Sequence, residues 1–205
     1  MFDYKKPYDF SNFPFNEDTY LPGKSSIKSL IHTINFLGED IIGVELGVFE
    51  GESFMTLLHN CPNIKMLYGI DSYLPYADYL KMPYDGTPHM IMGEKDIDLV
   101  KSVCYNRIKY SGMDDKITFY EEDSNICSKK FEKESLDFIF IDTYMTYQQA
   151  KNDLEIWYPK LKNGGLFAGH DWDSDQIQNA VNEFRDENMI DNFMSIYDYC
   201  WCWIK

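Results

Sequence analysis

The chain has 205 residues, 44% hydrophobic and 26% charged, and 19 basic against 34 acidic residues give it a formal net charge of −15. That length suits one domain with an ample core. The charge argues against nucleic acid as a partner: such affinity comes from Lys and Arg neutralising phosphates, and the basic residues here make only pairs, Lys5-Lys6 and Lys129-Lys130.

The start, MFDYKKPYDF, has no apolar core region, so a secretory leader is not expected. No apolar run reaches the roughly 20 residues that span a bilayer, so no membrane is expected either. Cysteines 61, 104, 127, 200 and 202 are odd in number and scattered, which points to reduced thiols and a cytoplasmic setting. Cys200 and Cys202 would share one strand face. Packing is the reading for them, because a lone C-x-C lacks the second ligand pair of a zinc site.

Residues 1–22 interleave aromatic and polar side chains, among them Phe2, Tyr8, Phe13 and Tyr20. Such a segment cannot pack on itself. It is expected to lie across the main domain (23–205) as a lid, or as an arm joining copies into a homo-oligomer. Pro22-Gly23 marks a turn, and Ser25 or Ser26 is placed to cap a helix reaching about Leu37. Gly23-Lys24-Ser25 is no P-loop, because Asp18 stands where that loop needs glycine. Strand-like runs then follow at 41–46, 65–70, 116–121, 136–141 and 165–170, alternating with helix-like segments at 52–60, 95–110, 146–162 and 176–188. The last thirteen residues, FMSIYDYCWCWIK, read as two strands of an antiparallel hairpin. The prediction is an α/β fold: a Rossmann-like, seven-stranded, mostly parallel sheet with helices on both faces. Segment 72–94, rich in Pro, Tyr, Met and Gly, is too long for a routine connection and reads as a substrate-covering insertion.

In open α/β sheets, ligands bind beyond the carboxyl ends of the strands. The first strand runs into Glu45-Leu46-Gly47-Val48-Phe49-Glu50-Gly51. Its glycines let backbone approach a ligand, but their spacing by four is not the dinucleotide fingerprint. Glu45 and Glu50 place negative charge there, which suits a ligand with an amine and a sulfonium. Asp71 follows Gly51 by twenty residues, the offset of a carboxylate that accepts from ribose hydroxyls. The third strand ends in Glu121-Glu122-Asp123-Ser124, where a carboxylate can meet an adenine amino group. The fourth ends in Asp142-Thr143 and the fifth in His170-Asp171-Trp172.

This series, VELGVFEG, YGIDSY, FYEEDS, LDFIFID and LKNGGLFAGHDW, resembles the class I S-adenosylmethionine-dependent methyltransferases over about residues 40–205. The subgroup it is most similar to includes the macrolide-sugar and catechol O-methyltransferases of small molecules. The resemblance implies methyl transfer from S-adenosylmethionine to a small-molecule hydroxyl. It implies Glu45, Gly47 and Gly51 at the methionine end of the cofactor. Asp71 with Ser72 would take the ribose, and Asp123 with Ser124 the adenine. Asp142 would lie beside the sulfonium. Asp142 and Asp171 would hold Mg²⁺ in metal-dependent members. Candidates for the general base are Asp142, His170, Asp171 and, from the insertion, His89. The chain departs from the pattern where Tyr144 and Met145 replace a usual Asp-His, and where Trp172 replaces Asn. Those departures keep open a non-catalytic nucleotide-binding or assembly subunit. A nicotinamide-dependent oxidoreductase is weakened by the glycine spacing.

Overall fold

The computed structural model describes residues 27–74, 94–143, 146–191, 195–197 and 199–205. The aromatic arm (1–22) and nearly all of the 72–94 insertion, including His89, lie outside these residues, as do Tyr144 and Met145.

The strands are β1 (Ile41–Leu46), β2 (Ile64–Ile70), β3 (Ile117–Tyr120), β4 (Leu136–Ile141), β5 (Leu161–Gly169), β6 (Ser195–Tyr197) and β7 (Cys200–Ile204). The helices are α1 (Lys28–Ile34), α2 (Glu52–Asn60), α3 (Glu94–Tyr110), α4 (Ser124–Cys127), α5 (Tyr147–Trp157) and α6 (Asp175–Glu187). The sheet order is β3-β2-β1-β4-β5-β7-β6. Strands β1 to β5 are parallel, and β7 and β6 return antiparallel. Six strands form the body of the sheet. The seventh, β6, is a three-residue edge, short enough to offer little template for another chain.

Period-two alternation in β4 sends Phe138 and Phe140 to one core and Ile139 and Ile141 to the other. The first core takes Leu30 and Ile34 of α1, Phe54 and Leu57 of α2 and Cys104 of α3. The second takes Leu154 and Trp157 of α5, Val181 and Phe184 of α6, and Trp201 and Trp203 of β7. A sheet buried on both faces explains why LDFIFI is apolar almost throughout. Cys200 and Cys202 are buried in the first core and in no disulfide, as packing residues would be.

Beyond shifts of a residue or so, several boundaries differ from the sequence reading. Helix α1 begins at Lys28, with Ile27 at the N-cap and no side-chain cap from it, and Ser25 and Ser26 lie outside the described residues. It ends at Ile34 rather than Leu37. Helix α5 stops at Trp157, not at 162: Pro159 draws Tyr158–Lys160 into a 3-10 turn, and β5 starts at Leu161. The four-residue α4 was not foreseen, being too short to show a helical period.

Strand order reverses between β1 and β4, each flanked by chain running outward to opposite sheet edges. There the Asp142 N–H donates to the Leu46 carbonyl at 2.8 Å. Gly47 follows at φ +81°, and a Cβ on it would stand 2.0 Å from the Asp142 carbonyl oxygen. Gly112 also has positive φ, +69°, but open space around it. Gly112→Ala should therefore cost about 1–2 kcal/mol, the strain of a left-handed residue alone. Gly47→Ala adds a backbone collision and should cost about 3 kcal/mol or more. Urea denaturation of the two variants checks this; equal losses would show that the β1–β4 approach is not tight.

Candidate active site

The functional rim lies at the carboxyl ends of β1 to β5. Three of the seven left-handed non-glycine residues among those described stand on it. Phe49, Tyr73 and Asp171 adopt φ of +51°, +46° and +58° directly after β1, β2 and β5. Left-handed non-glycine residues are uncommon, and such strain concentrates where a site needs a particular shape.

Asp71 organises the first two of these turns. Its Oδ2 accepts from the Phe49 N–H at 2.8 Å, and its Oδ1 from the Tyr73 N–H at 2.8 Å. The Tyr73 hydroxyl closes the ring by donating to the Phe49 carbonyl at 2.8 Å. Burial raises the Asp71 pKa, and the backbone donors work against it. A carboxylate has about four acceptor positions, so two engaged N–H groups leave capacity for ribose hydroxyls. Ser72 is half-buried, and its hydroxyl accepts weakly from the Leu74 N–H at 3.4 Å.

Glu45 is fully buried at the end of β1. One carboxylate oxygen accepts from the Ser53 hydroxyl, and Oε2 is buried with no hydrogen-bond partner among the described residues. Burial drives the Glu45 pKa well up; Ser53 opposes this, and the charges of Asp142 and Asp71 add to it. A buried carboxylate oxygen lacking a donor is costly unless a ligand supplies one. Glu50 does not share this role. It faces Arg107 of α3, whose Nη1 donates to the Glu50 carbonyl at 2.8 Å and whose Nη2 lies 3.8 Å from Glu50 Oε2. Arg107 thus braces the β1–α2 loop from behind, a role its place in an ordinary helical pattern did not signal. Gly51 supplies the left-handed N-cap of α2 at φ +78°.

Past β3, the acidic run is largely spent on local structure. Glu121 pairs with Lys101 and Glu122 with Lys130. Asp123 caps α4, its Oδ1 accepting from Asn125 N–H at 2.9 Å and Ile126 N–H at 3.2 Å. Ser124 is buried and donates its hydroxyl to Asp153 of α5.

Beyond β4 and β5, Asp142, His170 and Asp171 come together. Each offers one ligand atom, and these atoms lie within 4.8 Å of one another. His170 Nδ1 stands 3.0 Å from Asp171 Oδ1 and 3.8 Å from Asp142 Oδ1. The histidine backbone is gripped from both sides: its N–H donates to the Ile141 carbonyl at 3.0 Å, and its carbonyl accepts from Trp201 Nε1 at 3.1 Å. Burial pushes Asp142 up to about 7; His170 opposes this and Asp171 adds to it. Burial lowers the His170 pKa, but the Asp171 hydrogen bond and both carboxylate charges outweigh it, so the net shift is upward. Two carboxylates beside an imidazole can move a proton near neutral pH or hold a hard divalent cation. Next to them a small cavity runs down between β4, α5 and α6, lined by Ile141, Leu154, Ile177 and Trp201 as well as His170 and Asp171.

A family model described as a methyltransferase domain matches residues 44–172. No curated protein matches the chain by sequence. Solved structures share the fold at low identity. The O-methyltransferase NovP is 18% identical, with a TM-score of 0.61 over 95% of this chain and 92% of that one. A precorrin-6y C5,15-methyltransferase from Geobacter metallireducens is 12% identical, with a TM-score of 0.59 over 92% and 81%. A precorrin 8w decarboxylase from Methanobacterium thermoautotrophicum is 16% identical, with a TM-score of 0.57 over 90% and 82%.

Glu45 links the site to stability. Its raised folded-state pKa means that the folded chain holds this proton more tightly than the unfolded chain. Stability is therefore lost as pH rises from the ordinary glutamate range through the folded-state value. Glu45→Gln removes the ionisation. The variant's urea midpoint should gain on the wild type between pH 5 and pH 8. A constant difference across that range would mean that Glu45 ionises freely in the folded protein.

Proposed function

The chain belongs to the methyltransferase domain family, and on that premise we propose that it transfers a methyl group from S-adenosylmethionine to a hydroxyl of a small molecule of sugar or natural-product type. The observation that carries this reading is Glu45: a buried carboxylate oxygen with no donor among the described residues, two residues before the tight turn at Gly47. A cofactor ammonium answers both its charge and its open acceptor position. A pyrophosphate would be repelled there, which disfavours a nicotinamide cofactor.

In this assignment Glu45, Gly47 and Gly51 form the methionine end, and Asp71 with Ser72 accepts from the ribose. Asp123 and Ser124 border the adenine through the α4 N-terminus, and Asp142 faces the reacting centre. S-adenosylmethionine supplies the methyl group on a sulfonium that is already activated. The protein's part is alignment, exclusion of water and removal of the acceptor's proton. The Asp142–His170–Asp171 cluster is the place for that proton. Asp142, held near neutrality, is the member ready to accept it. The same donor set fits Mg²⁺, with Asp142 and Asp171 as its carboxylate ligands; such an ion lowers the pKa of a bound hydroxyl. The aromatic arm (1–22) and the 72–94 insertion are assigned to the acceptor pocket, with the arm as the contact between copies if the chain associates. The five described cysteines are buried and none is in a disulfide, which supports a cytoplasmic setting. No described helix is long and apolar enough to cross a membrane.

Calorimetry with S-adenosylhomocysteine and NAD⁺ tests the reading: the first should bind and the second should not. Asp71→Ala should weaken S-adenosylhomocysteine by about 1–3 kcal/mol, the scale of hydrogen bonds to a charged group. Preferential binding of NAD⁺ would replace the methyltransferase reading with the oxidoreductase one. The metal assignment stands if EDTA lowers turnover and thermal stability and Mg²⁺ restores both. It fails if neither responds while Asp171→Asn still abolishes turnover, which would leave Asp171 and His170 as an acid–base pair.

A further inference from the structure

Asp153 lies in the middle of α5 and is completely buried. No strand-end motif includes it. Its Oδ1 accepts from the Ser124 hydroxyl at 2.7 Å, and its Oδ2 from the Thr143 hydroxyl at 2.8 Å and Gln149 Nε2 at 3.0 Å. Gln149 is one helical turn away and anchors the carboxylate locally. The other two donors come from elsewhere. Ser124 opens α4 after β3, next to Asp123; Thr143 follows β4, next to Asp142.

Cys127 of α4 packs in the same core as Ala150 and Leu154 of α5, but the sheet itself does not join the two turns. In the sheet, β3 and β4 are separated by β2 and β1. Three strand spacings place them roughly 14 Å apart, so no ladder hydrogen bond can fix one against the other. Beyond the strands the chain converges on α5, where the single carboxylate of Asp153 accepts from both hydroxyls. Burying a carboxylate is expensive, and here the burial is offset by donors from three separate elements. Burial raises the Asp153 pKa, and the Gln149, Ser124 and Thr143 bonds pull against it. If α5 needed only to cover the sheet, an apolar residue would do so without that cost, as Ala150, Leu154 and Trp157 do.

We propose that Asp153 is a positioning residue for the transferase site, a buried clamp that fixes the adenine-side turn at Ser124 against the methyl-side turn at Thr143. The inference rests on the cofactor assignment above. It gives each hydroxyl a distinct duty. Ser124 governs the adenine half alone, Thr143 the reacting half alone, and Asp153 both.

The test compares wild type with Ser124→Ala, Thr143→Val, Asp153→Asn and Asp153→Leu. Calorimetry measures adenosine, which probes the nucleoside half, and S-adenosylhomocysteine, which probes the whole site. Amide hydrogen exchange is read over 123–128 and 140–148 without ligand. Ser124→Ala should weaken both ligands. Thr143→Val should weaken S-adenosylhomocysteine and leave adenosine unchanged. Either Asp153 variant should weaken S-adenosylhomocysteine by roughly tenfold or more and speed exchange in both segments at once, beyond any change elsewhere. If an Asp153 variant only lowers the unfolding midpoint, with affinity unchanged for the folded fraction and exchange rising evenly, Asp153 is a core residue and the proposal falls. The same holds if only one segment loosens. Wild type that binds neither ligand overturns the cofactor assignment; wild-type binding with unchanged variants overturns the clamp alone.

Discussion

The approach of β1 to β4 at their carboxyl ends is the constraint on which the site depends. A carbonyl oxygen of the Asp142 turn occupies the space where any residue other than glycine at 47 would place its Cβ. Because strand order reverses at this pair, α2 and α5 leave on opposite faces and the loops part above them. A crevice at that position follows from topology. Its depth follows from Gly47, which lets the first loop turn without pushing the fourth strand away. Glu45 owes its burial to the same closeness, since it sits two residues before the turn, on a strand flanked by both β2 and β4.

Given that crevice, the remaining parts are devices for holding loops still. Asp71 receives the N–H groups of two left-handed residues, Phe49 and Tyr73, and joins the loops after β1 and β2. Arg107 supports the first of those loops from α3. Asp153 reaches the loops after β3 and β4 from α5. Each loop is thereby tied to something outside itself. Left-handed non-glycine backbone costs of order 1–3 kcal/mol per residue and persists only where surroundings over-determine it. The Asp71 ring is such a surrounding: it satisfies the amides of both strained residues with one carboxylate.

How much of this was readable in the residues depends on the range of the interaction. The α/β order was legible because each strand is a local apolar run and each helix a local period. The glycine turn and the cluster at 142, 170 and 171 were legible because strand ends converge on one rim in any such sheet. Asp123 shows the limit. Its sequence context suits an adenine contact equally well as a helix cap, and its Oδ1 caps α4. Glu50 shows it again, since only the fold reveals Arg107 beside it. Asp153 left no trace at all: one acidic residue in an amphipathic helix looks like a solvated face. Its three partners are four, ten and twenty-nine residues away, and only the nearest lies within the reach of a periodic pattern.

The chemistry of the rim turns on uncompensated negative charge. Asp142 and Asp171 lie around one imidazole, so full ionisation of both carboxylates with a protonated His170 leaves an excess of one negative charge in a partly buried place. Such a cluster must be neutralised, and there are two means. A proton can sit on Asp142, whose carboxyl burial pushes up to about 7, or a divalent cation can take the proton's place. These are alternative answers to one electrostatic demand. On the function proposed above, Asp142 would take an acceptor's proton only in its ionised form, which a pKa pushed up to about 7 leaves accessible near neutral pH, whereas a bound cation would act by making the hydroxyl more acidic. The fold family accommodates O-methylation in NovP, a C5,15-methyltransferase and a decarboxylase, so the sheet alone does not choose the reaction. What distinguishes one member from another must then lie in side chains at the strand ends, which here are a buried carboxylate at Glu45 on β1 and a cluster of two carboxylates and an imidazole beyond β4 and β5.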